Sequence, residues 1–318
     1  MHAFDVMGGI CIGWILGFLC LLVWMSWSYA TLEPTLYLRP FWGIGNRLRT
    51  LRVAFDLARV LKRRLVLVDS IDVGCDVYLT SLMDVPVDGV LYTKALVPMY
   101  RKTIKSNGKG DCSLTMPLED FQKIKDKALL IESCTLNVAG LEETSEFYER
   151  TSPHPMIVRP ILNLMEAIQI TKPVGVHIRQ GTVSDYKQGF FFGKWKNSSP
   201  DIPIGCCSKS LVGDDVVCPK SAPCVDGFVT KMNEYSPETI FYVASDRPGC
   251  LLQLKEIFGD RILHQPIEIE SSTNSVRGMR DFVALSMCRE LIISNVSSFS
   301  GEAARVNNIP RIRITDAK

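Results

Sequence analysis

A chain of 318 residues with 47% hydrophobic and 22% charged side chains can bury a substantial core, and at roughly 150 residues per domain it has room for two. Its 36 basic and 34 acidic side chains leave a net charge of +2, which argues against general nucleic-acid binding, since that requires a strongly basic domain. An anionic ligand must therefore be met by particular arginines, not by the field of the whole molecule.

The N-terminal segment differs in kind from the rest. Residues 7–27 carry no charged side chain, about the length a helix needs to cross a bilayer core, and Trp24, Trp27 and Tyr29 sit at one end like an interfacial belt. The segment 7–29 is predicted to be an uncleaved transmembrane anchor. A cleaved signal peptide ending near Ser28-Tyr29-Ala30 is the alternative, but no Lys or Arg precedes the apolar run. Arg39, Arg47 and Arg49 follow the span, which by the positive-inside rule favours a cytosolic domain. Cysteine use points the other way. Cys206, Cys207, Cys218 and Cys224 crowd a segment rich in Pro, Gly, Ser and Asp, with no histidine nearby and no CxxC pair. A disulfide-tied loop in an oxidising lumen suits that pattern better than zinc. Asn197-Ser198-Ser199 is a glycosylation sequon beside it, so the expected location is the Golgi or ER lumen.

Past the anchor, Leu36-Tyr37-Leu38 reads as a strand, then a turn rich in Gly and aromatics, Phe41-Trp42-Gly43-Ile44-Gly45, then a helix from Asn46 to about Arg63. Leu48, Leu51, Phe55 and Ala58 stripe one face of that helix, and Arg47, Arg49, Arg52, Arg59 and Lys62 fall largely elsewhere. Leu65 to Asp69 is a buried strand, completing a βαβ unit. A dinucleotide fingerprint with Asp69 as the ribose acid is weak, because Leu48 occupies the third glycine position. What remains is a turn whose backbone N–H groups face a ligand, with Asn46 as N-cap or ligand contact.

Val87 to Tyr92 and Ala128 to Ile131 are predicted strands. Tyr100 to Asp111, basic and glycine-containing, reads as a solvated loop, with a grip on an acceptor as the alternative. Pro153, Pro155 and Pro160 mark a boundary between domains at 35–155 and 156–318, and Ile161 to Ile170 is a connecting helix.

The second half restarts with Val174 to Ile178, a buried strand running into Arg179-Gln180-Gly181-Thr182. Ends of such strands are where open α/β sheets place ligands, and arginine's planar fork suits a phosphate. The alternative is an Arg179 salt-bridged at a sheet edge. Residues 185–227 form an insertion holding the four cysteines, with Phe190, Phe191, Phe192 and Trp195 as a stacking surface or as its own small core. A helix near Phe228 to Tyr235 leads to the strand Ile240 to Ala244, ending in Ser245-Asp246. Leu251, Leu254 and Phe258 stripe the next helix, followed by a short strand at Ile262-Leu263, a helix from Val276 to Arg289, and a strand from Leu291 to Ser294. Ser298-Phe299-Ser300-Gly301 opens a helix running through Val306. Repeated β-α alternation with hydroxyl-rich strand ends is the pattern of a nucleotide-binding α/β domain.

In order, these motifs resemble those of the GDP-fucose-dependent fucosyltransferases, which include core α1,6-, bacterial nodulation and protein O-fucosyltransferases. His177-Ile178-Arg179-Gln180-Gly181 is similar to the family's His-x-Arg motif, Phe241 to Asp246 to its strand ending in Thr/Ser-Asp, and Ser275-Val276-Arg277-Gly278 through Asp281 to its Ser-x-Arg-Gly helix start. Ser297 to Arg305 resembles the serine-rich helix start, and Gly43 to Asn46 the Gly-x-Gly-Asn turn. The resemblance implies two facing Rossmann-like α/β domains of the GT-B type, the first on the acceptor side and the second holding the nucleotide sugar. It implies that Arg179 contacts the donor diphosphate, that Asp281 helps bind the guanine nucleotide, and that Ser298, Phe299, Ser300, His177, Asp246, Arg277 and the Gly43, Gly45, Asn46 turn surround GDP-fucose. Thr182 departs from the acidic residue common in the motif, and the four-cysteine insertion is not part of the family pattern.

No Asp-x-Asp pair stands at a strand end, so a metal-independent, cofactor-free transfer is expected, and the resemblance implies that fucose is the sugar moved, with inversion predicted, to a hydroxyl of a glycan or glycoprotein. Arg179 and Asp185 are the expected catalytic residues, Asp185 as base, with a loop-surface aspartate as its plain alternative. Two competing functions are transfer of another nucleotide sugar and a non-catalytic, membrane-anchored binding protein.

Overall fold

In the computed structural model, residues 33–314 are described apart from 73–74, 100, 107–112, 168, 170–171, 180–224, 247, 266–273 and 295–296. The anchor at 7–29, Asp185, the aromatic cluster, the four-cysteine segment and Asn197 lie outside the described residues. Among the described residues no helix is long and apolar enough to cross a membrane.

The first half runs β1 (Thr35–Pro40), α1 (Ile44–Val60), β2 (Arg64–Val68), β3 (Met83–Asp84), β4 (Gly89–Leu91), β5 (Lys102–Lys105), β6 (Ser113–Pro117), α2 (Leu118–Gln122), β7 (Ala128–Ser133), β8 (Thr135–Ala139), α3 (Glu146–Glu149), β9 (Ser152–Pro153) and α4 (Pro155–Ala167). The second runs β10 (Val174–Ile178), α5 (Val225–Met232), β11 (Phe241–Ser245), α6 (Pro248–Phe258), β12 (Ile262–Leu263), α7 (Asn274–Ser286), β13 (Glu290–Ser294), α8 (Ser298–Val306) and β14 (Arg311–Ile314). Five strands of each half form a parallel sheet, ordered β4-β2-β1-β7-β5 and β12-β11-β10-β13-β14. Each sheet grows to one side of its first strand and then resumes on the other. The order therefore switches between β1 and β7 in the first sheet and between β10 and β13 in the second. At such a point the connections leave in opposite directions, opening a crevice at the C-terminal strand ends.

Alternation along the strands explains the layering. Leu36 and Leu38 of β1 face α1 and join a core that continues through Leu48, Leu51 and Phe55 into Met279, Phe282, Ala303 and Ala304 of the second half. One apolar core thus joins the two halves. Tyr37, Val66 and Leu130 point to the opposite face, where Val97 covers them. In β10 every residue is buried, as a strand covered on both faces must be. Gly175 has no room for a side chain, since a Cβ there would lie 2.4 Å from Leu291 Cδ2.

Several details differ from expectation. The first helix begins at Ile44, not Asn46, with Gly43 in extended conformation as its N-cap and no side-chain cap bond. Arg47 and Arg52 are buried at 0% and 2% exposure, because each finds carboxylates inside. Pro160 lies within α4, which starts at Pro155, where proline's missing N–H is harmless. Lys102–Lys105, expected in a solvated loop, is an edge strand paired to β7.

The halves are braced by a buried network. Glu302 of α8 accepts from Arg52 Nε of α1 at 3.0 Å and from the Tyr148 hydroxyl of α3 at 2.6 Å, and Arg52 also meets Glu143 at 2.9 Å. Burial and the neighbouring Glu302 carboxylate push the Tyr148 hydroxyl far up, so it remains a donor. Across another part of the junction, Asp76 and Ser275 exchange bonds of 3.1 and 3.2 Å.

Candidate functional site

The switch point of the second sheet gathers most of the expected residues. Arg179 leaves the end of β10, and its backbone N–H donates to Ser294 Oγ of β13 at 2.9 Å. The same hydroxyl donates to the His177 carbonyl at 3.3 Å, so one buried serine ties the two strands across the crevice. Sequence reading placed Ser294 only as a strand end; a hydroxyl there is its signal. The Arg179 guanidinium donates to Asp246 Oδ2 at 2.8 Å, with its side chain 36% exposed and that of Asp246 12%. Asp246, beyond β11, thus holds the arginine's orientation.

His177 points into the protein, with its ring 5.1 Å from that of Phe299. Burial, then the positive charge of Arg179, lowers its pKa to about 3, so the imidazole is neutral near pH 7. Among the described residues its buried Nδ1 has no hydrogen-bond partner, nor does the buried Ser300 hydroxyl one residue after Phe299. Both unpartnered groups flank the start of α8, where the helix's first N–H groups have no intrahelical acceptor and carry its positive dipole end.

A second helix start meets this one. A Cβ on Gly45 would lie 2.5 Å from Phe299 Cα and 2.6 Å from Phe299 N, so the first turn of α1 rests directly on the backbone of α8. Asn46 Oδ1 accepts from the Ser298 hydroxyl at 2.6 Å. Gly45, expected to let a ligand approach, also lets a helix approach, and Asn46 makes a helix–helix contact while Gly43 is the N-cap. Just before, Trp42 adopts φ +76°, costly for a residue with a side chain. Asp72 accepts its N–H at 2.9 Å and Arg47 Nε donates to its carbonyl at 2.8 Å, which holds the turn. Asp69 is fully buried and accepts from Leu79 N, Thr80 N and Thr80 Oγ1, so it is committed to a loop and cannot serve as a ribose acid.

Arg277 and Asp281 lie on α7. Asp281 is buried and accepts from the Tyr242 hydroxyl at 2.7 Å and Gln265 Nε2 at 2.6 Å, while Gln265 also donates to the Arg277 carbonyl. Burial raises the Asp281 pKa against these bonds. The structure therefore brings Gly43, Gly45, Asn46, His177, Arg179, Asp246, Ser298, Phe299 and Ser300 to one end of the second sheet, and buries Asp281 on α7 against Tyr242 of β11. Among the described residues no cluster of three or more His, Cys, Asp or Glu could hold a metal ion.

No protein-family model matches the chain, and no curated protein matches it in sequence. Solved structures do match. A variant of Arabidopsis thaliana FUT1 in complex with GDP aligns with TM-score 0.54 at 12% identity, over 90% of this chain and 71% of that one. NodZ alpha-1,6-fucosyltransferase soaked with GDP-fucose gives 0.54 at 13%, over 88% and 94%. POFUT1 in complex with GDP gives 0.51 at 13%, over 89% and 99%. The chain has the α/β fold of these fucosyltransferases, as its motifs led one to expect.

Proposed function

We propose that the protein is a glycosyltransferase that takes fucose from GDP-fucose and transfers it, with inversion, to a hydroxyl of a glycan or glycoprotein. The observation that carries this reading is the meeting of two helix N-termini beside Arg179 at the β10/β13 switch point. Each helix start contributes roughly half a positive charge, and a guanidinium adds a full one with donors in a fork that fits phosphate. Such an arrangement suits the diphosphate of a nucleotide sugar, and most of all the departing nucleotide, whose charge grows as the bond to fucose breaks. The buried Nδ1 of His177 and the Ser300 hydroxyl are further groups in want of a partner there. GDP bound to structures of the same fold supports guanine over other bases.

In this scheme Arg179 binds and stabilises the diphosphate, with Asp246 aiming it. His177 is neutral and packed, so it supports the strand end and shuttles no proton in the reaction. Asp281 fixes Gln265 and the first turn of α7, from which Arg277 reaches the nucleotide. Asp185, in the segment after Arg179, takes the acceptor hydroxyl's proton as fucose moves to its oxygen. On the sequence alone we further propose that residues 7–29 anchor the chain in a membrane and that its domains face the Golgi or ER lumen.

The test uses purified full chain with GDP-fucose, GDP-mannose and UDP-sugars, reading nucleotide binding and release. GDP-fucose should bind and turn over in preference, and Asp185→Asn should keep GDP binding while turnover falls by roughly 10²–10⁴. Absence of GDP-fucose binding, or full activity in Arg179→Ala, sinks the reading. For topology, a gel shift on N-glycan removal that disappears in Asn197→Gln marks a lumenal domain; no shift in the wild type refutes it.

A further inference from the structure

The first sheet has a switch point too, and its charges are arranged differently. Arg39 at the end of β1, Glu132 at the end of β7 and Lys105 at the end of β5 are registered neighbours, so they form one row on one face across three parallel strands. Lys94, from the connection between β4 and β5, joins them. Arg39 Nη1 reaches Glu132 Oε1 at 3.1 Å, while Lys94 and Lys105 reach Oε2 at 2.8 and 3.2 Å. The Glu132 side chain is 7% exposed, whereas those of Arg39, Lys94 and Lys105 are 38%, 32% and 59% exposed.

One cation would neutralise a buried carboxylate. Among the described residues, three leave two positive charges in excess within a few ångströms, a mutual repulsion that an incoming anion relieves. Burial alone would raise the Glu132 pKa, and hydrogen bonds from Lys94, Arg39 and Lys105 instead bring it down to about 2, so the carboxylate holds its cations across the working pH range. Two residues before Lys94, Tyr92 is 56% exposed and meets Tyr78 edge-on with ring centroids 4.9 Å apart. An exposed Tyr92 backed by a half-buried Tyr78, each with a hydroxyl tip, offers a ligand both apolar faces and polar edges. Arg39 stands four residues before Gly43, so it lies at most about 14 Å along the chain from the helix start that meets α8. The C-terminal end of an α/β sheet at its switch point is also where such sheets take ligands.

We propose that the β1/β7 switch point is a subsite for an oxyanion, a uronate carboxylate or a sulfate, borne by the acceptor glycan. Arg39, Lys94 and Lys105 bind the anion, and Glu132 holds those three cations in position. The assignment of the anion to an acceptor rests on the glycosyltransferase reading above.

The experiment titrates the full chain with three matched disaccharides, one neutral, one bearing a uronic-acid carboxylate and one a sulfate, with inorganic sulfate and GDP run in parallel. At least one acidic disaccharide should bind about tenfold more tightly than the neutral one, and the preferred anion identifies the source. A Lys94→Gln/Lys105→Gln double variant, altered only at partly exposed side chains, should lose that preference. Equal binding of neutral and acidic disaccharides, a preference that survives in the double variant, or inorganic sulfate binding as tightly as the sulfated disaccharide overturns the proposal. GDP binding separates the two readings: a chain that binds no GDP fails as a fucosyltransferase whatever the disaccharides do.

Discussion

The two switch points of this molecule lie at corresponding ends of two parallel sheets and present positive charge in opposite ways. At β10/β13 one arginine is paired with one aspartate, a serine locks the strands together, and the remaining field comes from two helix starts pressed against each other through Gly45. Backbone dipoles of this kind are fixed in direction and need no reorganisation, which suits a group of constant shape such as a diphosphate. At β1/β7 the helix start that follows the strand has turned to α8, and what stays behind is a row of long cationic side chains around Glu132. Long side chains adapt to ligands of varying geometry, at the cost of rotamer freedom. On the function proposed above, the contrast separates a rigid donor end from an adaptable acceptor end.

The contrast holds only while the halves are braced, so its largest test is Glu302→Ala. Removing that carboxylate leaves Arg52 and the Tyr148 hydroxyl poorly partnered inside the junction, and urea unfolding should show a loss of about 3 kcal/mol. Next, Arg179→Ala should weaken GDP binding on the order of 100-fold by calorimetry, whereas Arg39→Ala should leave GDP affinity unchanged. Equal losses in the two variants would erase the distinction between the ends. Gly45→Ala puts a methyl where Phe299 backbone already stands; we expect a loss of about 2 kcal/mol by thermal unfolding, with weaker GDP binding because the helix starts are forced apart.

The smallest effect is in the pH profile, where each end has its own titrating group. His177 is held below its ordinary 6.5, at about 3, so the unfolded chain binds a proton that the native site refuses. Its contribution is complete above pH 6.5 and is lost as pH falls toward 3. Glu132 is held below its ordinary 4.5, at about 2, so its contribution is complete above pH 4.5 and is lost only between there and about 2. Stability curves should accordingly flatten in the higher window for His177→Phe and in the lower window for Glu132→Gln.

Much of this was legible in the chain. The buried runs of β10, β11 and β13 and the striped α1 announce themselves by periodicity, and Arg179 by its place after a strand. What stayed hidden depends on partners distant in sequence. Arg52 and Arg47 looked like surface charge because their carboxylates belong to other segments, 250 residues away in the case of Arg52. The helix contact at Gly45 stayed hidden because its neighbour, Phe299, lies in the other half. Lys102–Lys105 carried no strand pattern, being a short edge strand defined only by its register with β7.

By itself, then, the sequence determined the alternation of strands and helices, the two α/β halves and the arginine at the second sheet's strand end, because hydrophobic period and turn chemistry are local properties. Only the tertiary structure decided that Gly45 serves a helix, that Asp246 aims Arg179, and that Arg39, Lys94 and Lys105 converge on Glu132. Those facts are set by which strand lies beside which, and strand order is fixed by the packing of the whole.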